Sequence, residues 1–226
     1  MPKNKNLSNL LPLMLFIISL SLACNSGSKP TDTPEAPTDQ PKVKTGDPAD
    51  GNKTYQTKVK VKTPDDKDVV EVKIDSDPKI EFGGKVLRGE TKGEKRKYTL
   101  EGGSQTAEVK AGGADGFKVR TNDGKLLWKV KISADKIKIS DNEENENAFE
   151  IKKRDDGAKI ERNENKLGEV KFYRDRGKVK VKDASDKELF DSNTEKYSVA
   201  YGVLALGEIP EEYRFIIFAE LLSRNV

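Results

Sequence analysis

The side chains that most often carry enzyme chemistry are nearly missing from this sequence. It has no histidine and a single cysteine, Cys24. That removes Ser-His-Asp and Cys-His triads, histidine-held metals, cysteine zinc sites, structural disulfides and CxxC redox pairs together. What remains is carboxylate and ammonium chemistry, with 39 Asp and Glu against 42 Lys and Arg in 226 residues. Paired carboxylates can hydrolyse a glycosidic bond without histidine. With so many acids, however, some pair always looks suitable, and an aromatic content of 7% offers few faces for stacking a sugar. Carboxylate-based hydrolysis therefore stays an alternative with no catalytic residue assigned, and the protein is expected not to be an enzyme. The oxygen-rich run Asp141 to Asn147 lacks the alternating ligand spacing and turn glycine of an EF-hand, so it reads as a solvated loop, and neither metal nor cofactor is expected.

Lysines offer the other candidate. In Lys58-Val59-Lys60-Val61-Lys62, Lys136-Ile137-Lys138-Ile139 and Lys178-Val179-Lys180-Val181-Lys182 every second residue is cationic. In an extended chain, alternation places Lys58, Lys60 and Lys62 on one side, and likewise Lys136 with Lys138, and Lys178, Lys180 and Lys182. Gathered into one patch, such rows would bind anionic lipid or lipopolysaccharide. The overall charge works against this. The chain carries a formal +3, and removal of residues 1–23 takes away Lys3 and Lys5 and no acid, leaving +1 on the side chains. A balanced protein has no global field to draw in a polyanion. Lysines on a wet strand face also guard against edge-to-edge aggregation. Anionic-surface binding is thus a second alternative, and no nucleic-acid partner is expected.

The elements that must position these residues begin with a leader. Lys3 and Lys5 precede an apolar run from Leu10 to Leu22, broken only by Pro12, Ser19 and Ser21. The run is too short to cross a bilayer comfortably and reads as a signal peptide over 1–23. It ends in Leu20-Ser21-Leu22-Ala23-Cys24, which resembles the bacterial lipobox in a relaxed form. The resemblance implies a bacterial lipoprotein, cut between Ala23 and Cys24, with Cys24 carrying the lipid and the membrane as partner. Two or three acyl chains, at about 0.8 kcal/mol per buried CH₂, anchor a protein stably where one does not. By resemblance to the sorting rule of enteric bacteria, Asn25 in place of Asp points to the outer membrane or cell surface. Residues 24–54 form a tether rich in Pro, Ser and Thr, holding five of the ten prolines.

From residue 55 the two-residue alternation predicts strands with one buried and one wet face. They are punctuated by Gly83-Gly84, Gly102-Gly103, Asn122-Asp123-Gly124, Asp155-Asp156-Gly157, Asn163-Glu164-Asn165 and Asp183 to Asp186. The pattern repeats. Val61, Phe82, Leu100, Val119, Ile139, Ile160 and Val181 recur at intervals of about 20 residues, and the last four are each followed by a second apolar site, at Val130, Ile151, Val170 and Phe190. About seven two-strand units of this kind, or twelve to fourteen strands, would leave bare edges unless the sheet closes. The fold expected for 55–226 is thus mainly β, a curled or closed antiparallel barrel of about twelve strands built from hairpin units of about 20 residues. At the C-terminus, Val199 to Leu206 is apolar, Gly207 ends that segment, and Pro210-Glu211-Glu212 opens a helix. Phe215 to Leu222 is apolar on every side except at Glu220, the mark of a buried helix.

The unit Phe117 to Lys131, with apolar alternation on both sides of an Asp123-Gly124 turn, is followed by further hairpins and an apolar C-terminal helix. In this order it resembles the tubby-like superfamily, which includes the LURP-one and phospholipid scramblase domains. The resemblance implies a twelve-stranded barrel around a central C-terminal helix. It implies no phosphoinositide site here, because none of the family's binding residues maps onto a position of this chain. Function is therefore expected to be that of a non-catalytic structural or binding module of the cell envelope, with its partner and oligomeric state open.

Overall fold

A computed structural model describes residues 58–226. The leader, Ala23, Cys24 and the tether lie outside the described residues. Fourteen strands follow one another as antiparallel hairpins: β1 (Lys58–Lys62), β2 (Asp68–Lys73), β3 (Lys79–Phe82), β4 (Lys85–Lys92), β5 (Lys95–Leu100), β6 (Gln105–Ala111), β7 (Gly116–Arg120), β8 (Leu126–Ile132), β9 (Lys136–Ser140), β10 (Phe149–Arg154), β11 (Gly157–Arg162), β12 (Asn165–Tyr173), β13 (Lys178–Asp183) and β14 (Glu188–Asn193). Each pairs with the next, and β14 returns to β1, closing a barrel. The closing seam is slight: its register is carried by Lys62 opposite Asp191, and Ser192 Oγ donates to the Lys60 carbonyl at 2.7 Å. The count is fourteen strands where about twelve were expected, because each of the seven repeat units supplies two full strands, even the short β3.

Alternation makes the wall. Val59 faces Val72, Val72 faces Ile80, and Ile80 faces Leu87 across neighbouring strands. On the far side Val130, Ile139 and Phe149 form the same kind of inner row. β-branched and aromatic residues suit this pleated, one-side-buried setting. The opposite faces of the strands carry mostly charged residues, which pair across strands, as in Lys58–Glu71 at 2.9 Å and Lys138–Glu150 at 2.8 Å. A barrel crossing a bilayer needs an outward apolar band; this outer wall is an ionic lattice. Among the described residues no helix is long and apolar enough to cross a membrane.

The hairpin turns are tight where the sequence allows a left-handed backbone. Gly83 and Gly84 (φ 51° and 74°) join β3 to β4, and Asn163 and Glu164 (φ 49° and 67°) join β11 to β12. Two consecutive positive φ values are the signature of the turn that matches strand twist. Because every pairing is antiparallel, successive turns fall at opposite ends of the barrel.

The interior is filled by the chain's own C-terminal segment. A 3₁₀ segment, Val199–Ala205, enters after β14 with its first turn capped by Ser198, whose side chain accepts from the Ala200 N–H. It lies along the wall formed by β10 to β13. Gly202 permits this approach, since a Cβ there would lie 2.6 Å from Ile151 Cγ2. The chain turns through Leu206 to Pro210 and returns as α1 (Glu211–Ser223), in which Phe215 to Leu222 are all buried. Phe215 packs edge-on against Phe82, and Phe218 against Tyr201.

This hairpin of helices gives the barrel two unlike ends. At the plugged end, where β3 turns into β4, Lys85 pairs with Glu212 at 3.0 Å, Arg162 pairs with Glu208 at 2.6 Å, and Leu206 and Ile209 are buried. The other end, where β14 and α1 both finish, is open.

Candidate binding site at the open end of the barrel

The 3₁₀ segment fills the side of the barrel against β10 to β13, and α1 packs on it and reaches across to β3. At the open end a cavity of about 1110 Å³ remains between them and the strands of the opposite wall. Val59, Ile74, Val109, Ala111 and Leu222 supply apolar wall, and Tyr197 and Tyr201 stand beside them. The rim carries Asp75, Glu94, Lys95, Glu195 and Lys196, a mixed set in which neither sign prevails by more than one charge.

One corner of the cavity is built differently. Glu220, in the last full turn of α1, is 1% exposed. A carboxylate that deep needs partners, and three side chains provide them. Tyr98 Oη donates to Glu220 Oε1 at 2.7 Å, Arg96 Nη1 donates to the same oxygen at 2.7 Å, and Arg224 Nη1 binds Oε2. Strand alternation brings Arg96 and Tyr98 inward together from β5, and Tyr98 sits between Gly89 of β4 and Ala107 of β6, small neighbours that leave room for its ring. The 2–3 and 4–5 turns fix Arg96 from behind: Nε donates to Thr91 Oγ1 at 3.0 Å and Nη2 to the Ser76 carbonyl at 3.3 Å, while Thr91 N–H is held by Asp77 at 2.9 Å. Arg224 lies over the Phe117 ring, 4.5 Å from its centroid, and Nη1 also donates to the Glu220 carbonyl at 2.8 Å.

The electrostatics follow from burial. Tyr98 is held protonated well above the ordinary phenol value by its burial and then by the neighbouring Glu220 carboxylate. Burial works against the charge of Arg96, but Glu220 and Tyr98 outweigh it, so the guanidinium pKa stands above its usual value. Burial raises Tyr197 and Tyr201 as well. Tyr201 finds Ser192 at 3.1 Å. The Tyr197 hydroxyl has no partner among the described residues, although its ring stacks on Phe172 at 5.6 Å. One carboxylate thus faces two guanidiniums, leaving one surplus positive charge at the edge of an apolar chamber. The arrangement is suited to holding an anionic group. The one acid at its centre is already engaged by three donors.

The sequence-selected lysines are spread over the outside. Strand order puts β14 between β1 and β13, and β9 lies on the far side of the barrel. Each row meets acids of its own: Lys58 with Glu71, Lys60 with Asp68 at 2.8 Å, Lys62 with Asp66 at 2.6 Å, Lys136 and Lys138 with Glu150, Lys178 with Asp191 at 2.8 Å and Lys180 with Glu188 at 2.6 Å. Lys182 stands between Glu169 and Glu188 in strand register. The oxygen-rich 141–147 loop lies at the plugged end, where Glu143 collects Lys118, Arg120 and Lys129. No three potential metal-ligating His, Cys, Asp or Glu side chains converge among the described residues. Trp128 faces Val119 and packs near Phe149 at 6.5 Å, in the barrel wall.

Neither Arg96 nor Arg224 was singled out by sequence reasoning. The available signal was Glu220 itself, the one charge in the apolar run Phe215 to Leu222, which requires a buried cationic partner somewhere in the fold. Compared with known proteins, the chain matches no family model, no curated protein and no solved structure.

Proposed function

We propose that this protein is a lipid-anchored module of the bacterial cell envelope that acts by binding, without catalysis, and that it binds at the open end of its barrel. The observation that carries the reading is the cavity: about 1110 Å³ with largely apolar walls and a fixed polar corner, at or above the roughly 300–1,000 Å³ usual for sites that enclose a small ligand. The place of entry of the chain supports it. Lys58 pairs with Lys73, the last residue of β2 before the 2–3 turn of the mouth. The polypeptide leading from Cys24 therefore joins the domain at the open end, so an anchor at Cys24 would tether the barrel by the end that binds.

The anchor is tested by expressing the full chain and its Cys24→Ala variant in a bacterial host, with metabolic labelling by an alkyne fatty acid and membrane fractionation. The wild type should label and resist carbonate extraction, and Cys24→Ala should do neither. Equal membrane retention of both would place the anchor elsewhere.

A further inference from the structure

We infer that the open-end cavity takes a long-chain carboxylic acid, with its head group on Arg224 and its alkyl chain along the wall of β1 and β6. The inference rests on the reading of this cavity as the binding site and adds the chemical class of the ligand.

The argument begins with the donors of Arg224. Nη1 is committed to the carboxylate and carbonyl oxygens of Glu220, and Phe117 lies against one face of the guanidinium. Among the described residues no acceptor bonds to Nε or Nη2. These two atoms form one edge of a planar fork, the shape that a carboxylate meets with two parallel hydrogen bonds. The side chain is 22% exposed and lines the cavity, which places it within reach of a ligand there. Glu220 also fixes the fork in place from its other side, so little of its freedom remains to be lost on binding.

Charge then selects the head group. Arg96, Arg224 and Glu220 leave one surplus positive charge in the corner itself, and the rim, with three acids and two lysines, carries one surplus negative charge, so the corner can pair with a single carboxylate and the mouth repels anions of higher charge. The surrounding chamber selects the rest. Val59, Val109, Ala111 and Leu222 offer no hydrogen bonds from their side chains, and removing a CH₂ group from water against such a surface yields about 0.8 kcal/mol. A short acid would gain the ion pair and little else, and a neutral chain would gain the wall and lack the ion pair. The combination of both halves on one ligand describes a fatty acid.

The test uses the full chain carrying Cys24→Ala, so that the anchor's own acyl chains do not compete. Binding of sodium palmitate, 1-hexadecanol and sodium octanoate, each below its aggregation concentration, is measured by displacement of a dansyl-labelled undecanoic acid. Palmitate should displace the probe most strongly, with hexadecanol and octanoate each weaker by about tenfold or more. Adding Arg224→Met should weaken palmitate by about tenfold to hundredfold, the loss expected for charge-assisted hydrogen bonds, and leave hexadecanol unchanged. Ala111→Trp, which narrows the mouth at the rim of β6 and leaves the polar corner untouched, should weaken palmitate and hexadecanol together; circular dichroism verifies that both variants keep the wild-type strand signal. Displacement by hexadecanol equal to that by palmitate, abolished by Ala111→Trp and indifferent to Arg224→Met, would overturn the carboxylate assignment and leave the cavity as a binding site. Failure of the probe and all three compounds to bind would overturn both.

Discussion

The two ends of the barrel are made from the same hairpins, and they differ in what the C-terminal segment leaves between them. At the plugged end the chain reverses, and its corner fills the opening with Leu206 and Ile209 under the exposed Arg162–Glu208 pair. At the open end α1 stops short of the far wall, and its one buried acid is met by Tyr98 and two arginines. The Arg162–Glu208 and Lys85–Glu212 pairs on the rim of the first end are largely solvated and cost little to place there, while Arg214 beneath them is partly desolvated. At the second end the charge is desolvated, held from three sides and next to empty volume. The difference is that between a surface and a site: similar residue types have separate consequences according to whether water or protein surrounds them.

Substitutions can break or sharpen this contrast. The largest effect should come from the helix common to both ends. Phe218→Asp places an unpaired carboxylate at a fully buried position, and should cost more than about 4 kcal/mol and abolish cooperative urea unfolding. Next, Glu220→Gln removes the charge that compensates Arg96 and Arg224. Both arginines are partly solvated, so the expected cost is about 2–3 kcal/mol in chemical denaturation, below that of a fully buried pair. Gly202→Val should cost about 1–3 kcal/mol by driving a side chain into Ile151, a loss confined to packing and visible as a lowered Tm with an unchanged m-value.

Alkaline pH should act on the open end. The pKa of Tyr98 in the folded protein lies above its ordinary value of 10.0. Its contribution is therefore fully present below that value and is lost as pH rises through the raised one. The urea midpoint of the wild type should fall in that range more than that of Tyr98→Phe. On the acid side, hydrogen bonds from Lys152 and Lys159 lower the pKa of Glu161 on the outer wall, so its contribution is present above the ordinary 4.5 and is lost as pH falls through the lowered value. The smallest effect belongs to the plugged end: Glu208→Gln should shift stability by less than about 0.5 kcal/mol. A loss matching that of Glu220→Gln would erase the distinction between the ends.

Much of this architecture was legible in the residues. Lys58 to Lys62 and Lys178 to Lys182 announce strands by alternation alone, and the spacing of Val119, Ile139, Ile160 and Val181 marks every second strand from β7 to β13. The apolar run around Glu220 announced a buried helix. The polar corner was not legible, for a physical reason. β5 reads Lys95-Arg96-Lys97, three cations in succession, so alternation of charge cannot show which one points inward. Tyr98 two residues on settles it only once the barrel has closed. Arg96 and Glu220 are 124 positions apart, and what unites them is the direction in which α1 runs back through the interior. The lysine rows were equally visible, but whether they adjoin depends on strand order, and the acids of β14 lie between two of them.

The slight seam between β1 and β14 has a bearing on how the protein comes into being. The strand that completes the wall is separated from its partner by the entire hairpin array, and the residues that fill the interior, Val199 to Leu222, follow the last strand. During synthesis each hairpin can pair with its predecessor, yet the inner rows of Val, Ile and Phe have nothing to cover them until the final thirty or so residues emerge. Such a chain stays open and exposes its apolar side until late, and then completes wall and core in one concerted step.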